Sequence, residues 1–204
     1  ALLMLVMMVL SIIGFAVWPV AAGTTPTAEI LALTQSNIWA AFIALDHGVS
    51  VSNLISIPLV LALYASLRTV HPQRALVALV VGLVAIGAMI TARSVLEIFT
   101  LGDLHAAATT SADQARYLAA GEALLTRHHG AAWYASMMLN GISTLLFATV
   151  MHRHPGYGRV VGTIGVVTAI PALLFWLPAV GNALLFLSML GWLDATAGAL
   201  FGLV

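Results

Sequence analysis

The chain has 204 residues, of which 62% are hydrophobic and 7% charged, whereas an ordinary soluble domain is ~25% charged. Seven arginines balance seven acids, with no lysine and no cysteine, and mean hydropathy is +1.08. This composition describes a polytopic membrane protein and excludes disulfides, thiolate metal sites, a retinal-bearing lysine and the basic patch that nucleic acid requires.

A helix that crosses a bilayer needs ~20 apolar residues. Runs of that kind fall at 1–22, 49–67, 75–101, 131–150, 160–180 and 183–204. The sequence therefore predicts an all-α membrane protein, a six-transmembrane-helix bundle making one domain over 1–204. The first run begins at Ala1 with no basic residue before it. It is expected to be a span preceded by further residues, rather than a cleaved leader for which AVWPVAAG mimics the cleavage site.

The connections differ in charge. RTVHPQR and MHRHPGYGR carry Arg68, Arg74, Arg153 and Arg159 and no acid, whereas 23–48 and 102–130 hold Glu29, Asp46, Asp103, Asp113 and Glu122. The positive-inside rule places the first pair in the cytoplasm and the second pair outside, with both termini cytoplasmic. The outer connections also contain helices. Residues 28–45 form an apolar run after the turn GTTPT, and SADQARYLAAGEALL repeats Tyr117, Leu118, Gly121, Leu124 and Leu125 at helical spacing. These two are the expected outer-face cap helices.

ARYLAAGEALL before a span, IPLVLALYASLR at the end of another, and six spans over the whole chain resemble a prokaryotic integral-membrane family classed as a domain of unknown function. The resemblance implies a multi-pass protein of the prokaryotic cytoplasmic (inner) membrane. It brings no catalytic residues with it.

Function must then be sought in polar groups that the membrane makes costly, about 2.5–3.5 kcal/mol for a charge at a span centre. Asp194 lies midway along the last run, with Gly191 and Gly198 on its face. On the fourth run His129, Trp133, Ser136, Asn140, Ser143 and Thr144 share one face. Asp46, Ser50 and Asn53 repeat the pattern on the second. Arg93 and Glu97, four apart on the third, are placed to pair. Together these residues predict an outward recess with His129 at its mouth and Asn140 and Asp194 at its floor. His128, on another face, is expected to meet the cap or solvent.

His47, Asp103, His105 and His129 gather imidazole and carboxylate near the same outer layer, a donor set suited to a transition metal. A pair such as His47 and His129 would also suit haem. No HExxH spacing, Walker loop, dinucleotide fingerprint or nucleophile elbow appears. Pro58 and Pro171 fall inside spans, and Gly158 and Gly162 make a GxxxG pair. The leading expectation is an integral membrane binding or accessory protein that holds a small hydrophobic or amphipathic ligand, a membrane lipid or a partner membrane protein. A membrane enzyme working through the outer His/carboxylate layer and a small proton-coupled carrier built on Asp194 are the alternatives.

Overall fold

The structure, a computed structural model, describes residues 25–46, 49–128 and 130–174. The runs 1–22 and 183–204, and the end of 160–180, lie outside the described residues. Among the described residues every regular element is helical: α1 (Thr27–Ser36), α2 (Ile38–Asp46), α3 (Val49–Leu67), α4 (Pro72–Ala92), α5 (Val95–Ala107), α6 (Ser111–His128), α7 (Ala131–Met151) and α8 (Gly158–Leu174). Three stretches, Val49–Leu67, Pro72–Ala107 and Ser111–Met151, are long and apolar enough to cross a membrane, and Gly158–Leu174 is a shorter apolar helix. The chain is an all-α membrane protein.

Helices α3, α4, α7 and α8 form the bundle, with α7 in the middle between α4 and α8 and with α3 laid mainly against α4. In lipid, apolar surface gains nothing by turning inward, so helices associate through close packing of small residues. The inner face of α4 fits that rule: Ala75, Ala78, Gly82, Ala85 and Ala92 are buried there, and Ser143 Oγ of α7 donates to the Ala78 carbonyl at 2.7 Å. A core of Leu63, Leu67, Leu79, Phe147, Val150 and Met151 fills one end. Val51, Leu54, Leu61, Val77, Val80, Val84, Val160, Val167 and Ile170 are exposed, as a lipid-facing surface requires. Pro58 and Pro171 are accommodated inside α3 and α8.

The remaining helices form a cap with a core of its own, Ile30, Leu31, Leu45, Val95, Ile98 and Leu125. Local chemistry sets their ends. Asn37 Oδ1 accepts from the Ala40 N–H at 3.0 Å to start α2, and Thr110 Oγ1 accepts from the Asp113 N–H at 3.1 Å while donating to Asp113 Oδ2 at 2.7 Å to start α6. Gln35 Nε2 donates to Asp103 Oδ1 at 2.8 Å and ties α1 to α5.

Both expected cap helices are present, with the first divided at Asn37. A third member, α5, was not expected. The 75–101 run is not one straight helix, because Arg93 takes an extended conformation (φ −85°, ψ 111°) after Ala92 and the chain restarts at Val95 into the cap. The four arginines Arg68, Arg74, Arg153 and Arg159 lie at or beside the bundle ends remote from the cap, where α3 passes to α4 and α7 to α8.

Candidate functional site

Two polar features follow one another along the inner face of α7, a charged junction where cap meets bundle and a cavity deeper in the bundle. The junction is organised by Arg93. A guanidinium at the end of an apolar helix must find partners, and this one finds them on three other helices. Nη1 donates to the Leu45 carbonyl of α2 at 3.4 Å and to Nε2 of His128, the last residue of α6. Its carbon lies 4.4 Å from the centre of the Trp133 ring of α7, within cation–π range. Arginine has no acceptor, so in this contact the guanidinium donates and His128 Nε2 accepts.

Asp46, fully buried at the end of α2, supplies the opposing charge to Arg93. Its carboxylate also accepts from the Ser50 N–H, at 3.2 and 3.1 Å to its two oxygens, and from Ser50 Oγ at 2.6 Å. One side chain thus completes the first turn of α3, while its charge acts on the arginine from beyond direct ion-pair contact. Arg127, exposed, reaches back to the Thr91 carbonyl at 3.3 Å. Arg93 Nη1, the Leu45 carbonyl, the Asp46 carboxylate and Ser50 are engaged within the junction, whereas Arg93 Nε and Ser94 Oγ are buried without a hydrogen-bond partner among the described residues, and the contacts made are those of a clamp joining cap to bundle.

Below it, Ser136 Oγ donates to the Trp133 carbonyl at 2.7 Å and lies 3.6 Å from the Met89 sulfur. Further along the same face, Asn140 and Thr144 border a partly open cavity of about 80 Å³ between α3, α4, α7 and α8. Val60, Ile86, Met137, Phe147 and Ala169 form much of its apolar wall, and among the described residues no charged side chain lines it. Three hydroxyls in the wall are already committed. Ser56 donates to the Ser52 carbonyl at 2.8 Å, Ser143 to that of Ala78, and Thr168 to that of Ile164 at 2.9 Å. The Asn140 carboxamide and Thr144 hydroxyl make no hydrogen bond with the protein among the described residues.

The structure therefore brings Asp46, Ser50, Arg93 and Trp133 into one junction, continues through Ser136, and sets Asn140 in the cavity. Asn53 is buried but bonds the Val49 carbonyl of its own helix at 2.8 Å. Glu97 does not join Arg93: it is exposed on α5, because the break after Ala92 removes the four-residue register that would pair them. Asp103 is exposed and held by Gln35, and His105 is half-buried. His47, His129 and Asp194 lie outside the described residues, and with them the remaining metal, haem and floor assignments. Among the described residues no three His, Asp or Glu side chains are grouped to hold a metal ion.

His128, expected to meet the cap or solvent, is the last residue of the cap helix α6 and is fully buried against Arg93 where cap meets bundle. Its signal was available, since Gly121, Leu125 and His128 are the buried residues of α6 and follow steps of four and three.

A family model described as a domain of unknown function, DUF4386, matches residues 1–203. No curated protein and no solved structure matches the chain.

Proposed function

This chain belongs to the family of the domain of unknown function DUF4386, and we propose that it is an integral membrane binding protein that holds a small amphipathic molecule or lipid between its helices. The observation that carries this reading is the Asn140 carboxamide, which borders an apolar cavity without a protein hydrogen bond among the described residues. Asn140 is half-buried, and an unpartnered amide that faces hydrocarbon costs several kcal/mol, so within a bilayer it calls for a ligand or water to complete it. Native mass spectrometry of the chain released from mild detergent tests the reading. A retained adduct that Asn140→Leu loses is the expected result, and wild-type protein at its bare mass would refute it. The enzyme and carrier alternatives depend on His47, His129 and Asp194, outside the described residues.

The proposed setting is a prokaryotic cytoplasmic membrane, with the cap outside and the arginine-bearing connections inside. The chain contains no native cysteine, so single cysteines report its orientation directly. At exposed Glu122 a cysteine should react with a membrane-impermeant maleimide on intact cells, whereas at exposed Arg153 it should react only after permeabilisation. The opposite labelling pattern would invert the topology.

A further inference from the structure

We infer that the cavity takes an uncharged apolar chain bearing a hydroxyl group, with that hydroxyl seated between Asn140 and Thr144; this rests on the binding role proposed above. The two residues are four apart on α7 and both border the cavity, so their polar groups lie one above the other on the same helix face. Asn140 offers two N–H donors and a carbonyl acceptor, and Thr144 offers one O–H donor and its lone pairs. Ser56, Ser143 and Thr168 have already directed their hydrogens to backbone carbonyls. Among the described residues, the uncommitted donors of this wall are therefore those of Asn140 and Thr144, one helical turn apart.

A hydroxyl both donates and accepts, so it satisfies the Asn140 carbonyl and one neighbouring donor at once. A carbonyl group only accepts and would leave the Asn140 oxygen unpaired. A carboxylate or ammonium would meet no counter-charge among the described residues of the wall, at a desolvation cost well above that of a neutral group. Size agrees with the same class. A volume of about 80 Å³ accommodates a hydroxyl and its first few carbons, given ~30 Å³ for a water-sized group.

The test uses the full chain in phosphatidylcholine nanodiscs, with empty nanodiscs as reference, and radiolabelled 1-dodecanol, dodecanoate, dodecylamine and dodecane. Saturable binding of dodecanol, at least about tenfold tighter than the other three, is expected, and Thr144→Val and Asn140→Leu should each weaken it by about tenfold. Thr149→Val, on α7 but outside the cavity, should bind as wild type. Thr144→Val is nearly isosteric and keeps the test available if Asn140→Leu fails to fold. Dodecanoate or dodecylamine binding as tightly would overturn the ligand class while the binding role stands, and equal binding of dodecane would remove the hydroxyl from recognition. Dodecanol binding undiminished in both variants would place the ligand elsewhere. No saturable binding of any probe, together with a bare native mass, would overturn both the class and the role.

Discussion

Replacing Arg93 with alanine is expected to lower the apparent melting temperature in detergent by roughly 3–20 °C, the largest single-residue effect among those proposed here. The change removes the hydrogen bonds to the Leu45 carbonyl and His128 and the cation–π contact with Trp133. It also leaves Asp46, fully buried, facing no cation across the junction. Losing hydrogen bonds to a charged group costs about 1.5–3 kcal/mol and a desolvated cation–π contact up to about 2 kcal/mol, and in a chain of this length each kcal/mol shifts melting by roughly 2–4 °C. Two companion variants separate charge from packing. Arg93→Lys keeps the charge but loses the planar fork that serves carbonyl, imidazole and indole together, so it should fall between wild type and Arg93→Ala. Arg93→Met combined with Asp46→Leu removes both charges and should recover part of the loss. An Arg93→Ala protein melting as wild type would show that the junction does not hold cap to bundle.

How much of this was legible depended on whether one helix carried the signal. The cap helix α6 announced itself through apolar residues at helical spacing, and the buried Ser136 and Ser143 were readable because one face of α7 carries them both. The Arg93 junction was legible only in its membership. Its pairing was not, because spacing within a continuous helix nominated Glu97, and the extended backbone at Arg93 cancels that spacing. The true partners, the Leu45 carbonyl, His128 and Trp133, lie 48, 35 and 40 positions away in sequence, where no local period reaches. The cavity was less legible still. Asn140 was singled out as a polar residue in a span, but an empty space belongs to four helices at once and leaves no mark on any one of them.

Replacing Gly162 with alanine is expected to loosen the α7–α8 hairpin and lower melting by roughly 2–12 °C. The pair Gly158 and Gly162 reads as a single packing motif in the sequence, yet the two glycines do different work. Gly158 opens α8 in the left-handed region, at φ 73°, with open space around the position a side chain would take. Gly162 is the packing member. A Cβ there would stand 2.8 Å from the His152 nitrogen, 2.9 Å from its Cα and 2.8 Å from its Cδ2. The His152 side chain can turn away, although it would give up its 3.0 Å contact with Thr163 Oγ1, but the backbone cannot. That backbone is fixed because the His152 N–H donates to the Ala148 carbonyl at 3.0 Å and closes the end of α7. Relief therefore requires α8 to move off α7, and overpacking of this kind costs about 1–3 kcal/mol. The same shift would open the cavity wall at Gly165 and Ala169, so dodecanol affinity should fall with stability in Gly162→Ala. Gly87→Ala is the matched control, since its Cβ would meet nothing within 4 Å and should leave melting unchanged or slightly raised. Equal melting of the Gly162 and Gly87 variants would mean that the two backbones do not need to approach this closely.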